Sequence, residues 1–473
     1  MGIDISSRIL ELLGHEPTAG QESAATEINL FLRDRDQAVF VLKGYAGTGK
    51  TTLIGALVRF LPEIRARAML LASTGRAAKV LSAYSGEKAY TIHKKIYRQY
   101  STPDGNMALA LQKNPHRSTV FIVDEASMIP DESPSEDYGL FSGRNLLDDL
   151  IQYVHEGENC KLILSGDSAQ LPPVGIDISP ALDLKYLKAS YGFKVYQKEL
   201  TEVVRQASMS GILKNATFLR NKIKTEDDKL PLFEGLYADF SAISGLELED
   251  NLNTAFSNDT GEGTVIITRS NKRANIFNRE IRNRILFRED EVASGDMMMV
   301  VKNNYYWLPK ESKAGFIANG DLVEILRIGN LQELYGFRYL DATIRMADYP
   351  EESELDVKLL LDTINVESAS LPYKDIRNMF EEIMKDYEEE PNRKKKIEKV
   401  RKNPFFNALQ VKFAYALTCH KTQGGQWDYV FIDAGYLKAE HLNKEYLRWL
   451  YTAVTRATRQ VLLINFDESF YSL

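Results

Sequence analysis

The chain has 473 residues, 44% of them hydrophobic, which is enough for two or three packed domains, since a single core stops growing near ~250–300 residues. With 26% charged and 10% aromatic residues and no unbroken apolar run of membrane-spanning length, the composition excludes a transmembrane protein and a wholly disordered one. Lys and Arg number 59 against 66 Asp and Glu, so at a formal net charge of −7 any nucleic acid must be held by a local basic track.

The opening residues, MGIDISSRILELLGHEP, lack the basic, apolar and small-residue series of an export signal. Cys160 and Cys419 stand alone, which argues against a disulfide framework and a clustered zinc site and makes a cytoplasmic location the expectation. Along the chain, AVFVLKG precedes TTLIGALVRFL, ARAMLLAS precedes GRAAKVLSAY, and STVFIVDEA and CKLILSGD follow. Short apolar strands alternating with helices are the signature of a parallel sheet covered on both faces, so residues 1–200 read as a first α/β domain. A second set, GTVIITR, VKFAYALT, YVFIDA and QVLLINF around EYLRWLYTAVTRAT, assigns residues 201–300 and 406–473 to a second α/β domain. Between them, residues 301–405 carry alternating strands such as DLVEILRIG and FRYLDATIRM, which suit a small inserted antiparallel barrel. The insertion ends on two helical segments interrupted at Pro391. Their mixed charges, over residues 372–402, fit a solvated helix face better than a nucleic-acid arm.

Gly44-Tyr45-Ala46-Gly47-Thr48-Gly49-Lys50-Thr51 sits between a strand and a helix and satisfies the phosphate-loop pattern. Gly44, Gly47, Thr48 and Gly49 let backbone N–H groups wrap phosphates at a helix N-terminus, and Thr52 follows inside the helix. Lys50 is placed to neutralise the β and γ phosphates of ATP, and Thr51 to hold Mg²⁺. Asp124, at the end of a buried strand, is a second Mg²⁺ candidate, and Glu125 beside it is placed to deprotonate water. Gln170, in the polar turn after CKLILSGD, is within reach of the γ-phosphate or the attacking water. Arginines that stabilise transferred phosphoryl charge come from outside the loop, and Arg205 and Arg456 qualify, although taken alone either also reads as an ordinary ion-paired arginine.

Taken in order, GYAGTGKT, STGRAA, TIHK, VDEAS, GDSAQLPPV, LTEVVRQ, LTCHKTQG and YTAVTRA resemble the superfamily 1 helicases, most closely the 1B branch of RecD-like and phage Dda-like enzymes. The resemblance implies two RecA-like parallel-sheet domains with a β-hairpin pin in the first, over about 94–116, and a small SH3-like β-barrel plus helical insertion in the second. It further implies ATP in the cleft between them, Gln21 reading the adenine edge, and Arg205 and Arg456 reaching in from the second domain. Ser73, Thr74, Thr91, His93, Thr418, His420 and Gln423 match positions that hold the phosphodiester strand without reading sequence. Tyr97 or Tyr100 then serves the strand-separation pin, with packing of both tyrosines on the first domain as the alternative. The expected activity is an ATP-dependent DNA helicase moving 5′→3′, a monomer acting on single-stranded and forked duplex DNA, with replication or repair proteins as partners and no membrane. An RNA or RNA–DNA translocase and a non-unwinding ATP-dependent switch are the alternatives. Two departures stand out: Ser73 replaces the family's usual proline, and the acidic 130–145 loop has no assigned role.

Overall fold

The computed structural model describes residues 4–101, 107–130, 145–173, 175–202, 210–257, 263–309, 312, 316–347, 349, 352–435 and 442–472. The first lobe carries Ala38–Gly44 (β1), Arg67–Ala72 (β2), Ala89–Thr91 (β3), Tyr97–Ser101 (β4), Met107–Leu111 (β5), Thr119–Asp124 (β6), Lys161–Gly166 (β7) and Lys194–Leu200 (β8). Six of them form one parallel sheet in the order β3-β2-β6-β7-β1-β8, while β4 and β5 form the antiparallel ribbon expected of a hairpin insertion. Alternate residues of β1 face opposite layers, as a strand's two-residue period requires. Phe40 and Leu42 pack with Ile28, Phe31 and Leu57, whereas Val39 and Val41 pack with Leu150, Val154 and Leu182. β8, KVYQKEL, has no apolar run and does not stand out in the sequence, because it is an edge strand paired only to β1.

Phe240–Ile243 (β9) and Thr264–Thr268 (β10) begin the second lobe. The chain then leaves it for Met297–Val300 (β11), Leu322–Leu334 (β12), Phe337–Met346 (β13), Leu355–Leu360 (β14) and Leu409–Phe413 (β15), which close into a barrel. It returns as Ala416–Thr418 (β16), Trp427–Asp433 (β17) and Ala457–Ile464 (β18), giving a second parallel sheet in the order β16-β10-β17-β18-β9. The insertion is therefore wider than the 301–405 expected. VKFAYALT, which reads as one strand, is divided, because pairing of Met298 with Phe413 closes the barrel while Leu417 joins the second sheet. The two expected helices, Tyr373–Lys385 and Arg393–Arg401, flank Pro391 and bury Met379, Ile383 and Val400 against Tyr339 and Leu360 of the barrel.

The barrel also rests on the first lobe. Lys79 Nζ donates to the Ala347 carbonyl at 2.9 Å, and Lys94, in the short helix Ile92–Ile96 that leads into β4, donates to the Tyr349 hydroxyl at 2.9 Å and lies over its ring. No described helix is long and apolar enough to cross a membrane.

The junction of barrel and second lobe is held by Asp296, which is completely buried. Its carboxylate pairs with Arg288 at 2.6 Å and Arg282 at 3.0 Å and accepts the Tyr415 hydroxyl at 3.1 Å. Removing one member of a buried ion network leaves its partners charged and unpaired at a cost of about 3–5 kcal/mol. Asp296→Ala is accordingly expected to lower stability by about that amount, read as an earlier unfolding midpoint in urea with Asp296→Asn falling between.

Candidate functional site

β1 lies between β7 and β8, with Lys43 opposite Gly166 and Gly44 opposite Leu200. The loop leaving β1 therefore emerges beside the ends of both neighbours, where open α/β sheets bind ligands. Gly47 and Gly49 adopt φ of 75° and 79°, left-handed values that glycine takes without strain, and the helix Lys50–Phe60 starts directly after them. Lys50 Nζ donates to the loop's own carbonyls of Gly44 at 2.6 Å and Tyr45 at 3.1 Å, a self-capped arrangement that an incoming phosphate can displace. Thr51 and Thr52 sit in the first turn of that helix. Thr48 is buried, and its hydroxyl donates to the Tyr45 carbonyl at 2.8 Å.

Gln21 lies in the helix Ala19–Arg33, where its Oε1 accepts the Thr18 N–H at 3.0 Å in a capping box. Its buried Nε2 has no partner, which suits a donor reserved for an acceptor on a base edge. Asp124 ends β6, opposite Ala72, and accepts the Ser165 hydroxyl at 2.9 Å. Thr51 and Asp124 fit a magnesium ion that takes few protein ligands and fills its shell with phosphate and water.

Glu125 has φ 51°, a left-handed conformation that costs a non-glycine residue roughly 1–3 kcal/mol and collects at functional sites. The Ser73 hydroxyl donates to the Glu125 carbonyl at 2.9 Å and helps hold that peptide. Burial pushes the Glu125 carboxyl up, and the Arg456 guanidinium opposes the shift most strongly among its charged neighbours. Arg456 follows the second lobe's helix Lys444–Val454, is 4% exposed, and brings Nη1 to 3.8 Å from Glu125 Oε1. Its guanidinium also donates to the Thr452 carbonyl at 3.1 Å, the Gly425 carbonyl at 3.3 Å and the Thr455 hydroxyl at 3.3 Å. The second-lobe arginine thus faces the phosphate-loop side of the cleft. Arg205 lies outside the described residues.

Residues 167–171 after β7 are stitched to the second lobe by three bonds. The Ala46 N–H donates to the Tyr451 hydroxyl at 3.1 Å, and that hydroxyl donates to Asp167 at 2.5 Å. The Leu171 N–H donates to the Thr452 hydroxyl at 2.9 Å, and Gln423 Nε2 donates to the Leu171 carbonyl at 2.7 Å. Burial raises the Asp167 carboxyl, with Lys50 and the Tyr451 bond opposing. Gln170 is 6% exposed and its Oε1 has no partner. Tyr451, Thr452 and Asp167 are site residues that sequence reasoning missed. They stand inside the quoted motifs, but only a fold that brings residues 167 and 451 together distinguishes them.

The residues expected to hold a nucleic-acid strand divide into two groups. Thr74 and Thr91 cap helices, accepting from Ala77 N–H at 3.2 Å and Lys94 N–H at 3.3 Å, which leaves each hydroxyl its own proton to donate. Thr418 makes no side-chain cap bond. Burial holds His93 down at about 4 and lowers His420, so both are neutral near pH 7, with one ring N–H each to donate. Ser73 and Gln423, in contrast, are spent inside the protein, on the Glu125 and Leu171 carbonyls. Gly424, at φ 75°, comes so close to the Thr74 hydroxyl that a Cβ there would lie at 2.9 Å, and Arg76 stacks on Trp427 at 3.9 Å. The two lobes therefore meet at the start of the helix Gly75–Ser85 as well as at the phosphate loop.

Tyr97 is 6% exposed and its hydroxyl donates to Asp149 at 2.6 Å, so it is packed on the first lobe and has no face free for a base. Its assignment to the pin is corrected for that reason. Tyr100 pairs with Ala108 through its backbone in the ribbon, while residues 102–106 and 131–144 lie outside the described residues.

Residues 17–229 match the family described as an AAA domain, and residues 413–464 match the UvrD-like helicase C-terminal domain. An uncharacterized protein, R530, of Acanthamoeba polyphaga mimivirus is 22% identical over 522 residues, covering 93% of this chain and 98% of the relative. The ATP-dependent DNA helicase dda of Enterobacteria phage T4 is 31% identical over 208 residues, 43% of this chain and 42% of the relative. The ATP-dependent RecD2 DNA helicase of Deinococcus radiodurans is 31% identical over 176 residues, 37% of this chain and 21% of the relative. The matched stretches thus span less than half the length of these two helicases.

Proposed function

The chain belongs to the superfamily 1 helicases, in the branch of the RecD-like and Dda-like enzymes, and from that premise we propose that it is an ATP-driven motor that moves 5′→3′ on single-stranded DNA and opens forked duplexes. The observation that carries the proposal is the approach of Arg456, from one lobe, to 3.8 Å from Glu125 of the other, beside the phosphate loop. A base and a cation that meet across a cleft make hydrolysis depend on closure, and closure is what moves one lobe along a strand.

In this reading Lys50 leaves the Gly44 and Tyr45 carbonyls for the β and γ phosphates, and Gln21 offers Nε2 to the adenine edge. Thr51 and Asp124 would hold Mg²⁺, which when bound would supply positive charge to offset that of the phosphates. Glu125 takes the proton of the attacking water, Gln170 orients that water, and Arg456 with Arg205 meets the charge that develops on the γ group. The state of the phosphate loop reaches the strand-binding side through Tyr451, Asp167 and the Leu171 to Gln423 bond, which ends one residue triplet past His420. Thr74, Thr91, His93, Thr418 and His420 supply neutral donors to phosphates, which fits binding without sequence preference. Chain direction follows from the family alone.

Duplexes with a single 5′ or 3′ tail, unwound in the presence of ATP and Mg²⁺, test the reading. Displacement from the 5′-tailed duplex is expected, with none from the 3′-tailed one and none by Lys50→Ala. Unwinding of the 3′-tailed substrate alone reverses the polarity, and ATPase stimulation by RNA but not DNA replaces the substrate. Strand binding without displacement on either tail leaves a switch in place of a motor.

A further inference from the structure

Behind residues 167–170 lies a cavity of about 530 Å³ walled by both lobes. Asp167 and Gln170 line it from the catalytic segment and Tyr45 from the phosphate loop, so it adjoins the end of the site where a γ-phosphate is cleaved. Two of its lining groups are almost wholly buried and lack partners: the Ser127 hydroxyl, on a residue 2% exposed, and Gln170 Oε1. Polar atoms buried this way cost about 1–3 kcal/mol each unless a guest or water meets them. Lys43 and Lys185 also face the cavity, and among the described residues neither side chain has a hydrogen bond or ion pair. Arg448 adds an unpartnered Nε, its Nη1 being bonded to the Asp177 carbonyl at 2.6 Å. The carboxylates of Asp167, Asp177 and Asp183 share the lining and offset part of this positive charge, so that an anion drawn in by the cations is not trapped.

We infer that this cavity is the exit chamber for inorganic phosphate, an inference that rests on the ATPase reading above. In that reaction the water oxygen bonds to the γ-phosphorus and the bond to the β,γ-bridging oxygen breaks, its electron pair staying on ADP. The water proton passes to Glu125 and then to solvent. ADP remains held by the phosphate loop, so the phosphate leaves on the γ side, past Gln170 and the Ser127 hydroxyl toward Lys43, Lys185 and Arg448.

The test uses the full chain with DNA, ATP and Mg²⁺ and reads two steps separately: cleavage by acid quench in a single turnover, and phosphate release by a fluorescent phosphate reporter. In the double variant Lys185→Gln, Arg448→Gln, cleavage is expected to stay within about twofold of wild type, while inorganic phosphate inhibits the ADP-bound enzyme roughly tenfold more weakly, the size expected for two partly screened charges. Ile178, 63% exposed, lines the cavity at its solvent side. Ile178→Trp, which narrows that opening, is expected to slow phosphate release about threefold or more with cleavage unchanged. Wild-type inhibition by phosphate in the double variant together with wild-type release in Ile178→Trp overturns the chamber. Absence of any cleavage step in the wild-type protein overturns the ATPase reading instead.

Discussion

Replacing Arg456 by glutamine is expected to lower DNA-stimulated ATP hydrolysis about 10³-fold or more, the range in which an arginine supplied to a phosphoryl-transfer site acts. The expectation rests on position and surroundings together. Arg456 is almost fully buried, and its only carboxylate neighbour within ion-pair distance among the described residues is Glu125 of the opposite lobe, at 3.8 Å. Its other hydrogen bonds, to Thr452, Gly425 and Thr455, lie in its own lobe and hold the guanidinium in place. A surface ion pair is worth at most about 1 kcal/mol, less than a tenfold change in rate, so the size of the loss discriminates between the two roles. The decisive measurement is kcat at saturating ATP, with strand binding and unfolding midpoint recorded for the same variant. A drop of less than tenfold with both of these intact reduces Arg456 to a structural partner of Glu125. Arg456→Lys is expected to recover little, because an ammonium cannot keep the Thr452 and Gly425 bonds while reaching the cleft.

Glu125→Gln is expected to cost about 10²- to 10⁴-fold in kcat, the usual contribution of a positioned general base, while ATP and DNA still bind. Glutamine keeps the size of the side chain and tolerates the φ of 51° no worse than glutamate, so the backbone held by the Ser73 hydroxyl is retained. Loss of the negative charge also frees Arg456 from its cross-lobe partner. The variant is therefore expected to hold ATP uncleaved and to grip single-stranded DNA at least as well as wild type, measured by filter binding or fluorescence anisotropy. Near-normal turnover would move the base to another residue and leave Asp167, with its raised carboxyl, as the alternative.

Much of this architecture is legible in the residues because it is local. Apolar runs of three to five residues mark β1, β2, β6 and β7, and the glycine spacing in GYAGTGKT is dictated by phosphate geometry whatever the rest of the chain does. The same physics explains the misses. β8 is half exposed at an edge and carries no apolar run, and the barrel's limits depend on which strand closes the ring, a choice between two pairings that look alike in VKFAYALT. Tyr97 has the composition of a stacking residue in a loop, but the helix that supplies Asp149 claims its hydroxyl.

Taken by itself, the sequence marked a phosphate loop with two α/β lobes around it and offered Lys50, Asp124 and Glu125 as candidates from short-range pattern and charge, while Arg456 was singled out only through the family resemblance. Only the tertiary structure decided what crosses the cleft. The Ala46 to Tyr451 to Asp167 bridge, the use of Gln423 as a strut to Leu171, and the cavity behind Gln170 join positions up to 405 residues apart. A buried hydrogen bond between such distant groups gains its strength from the desolvation of both partners, and no residue announces that in advance of the packing that buries it.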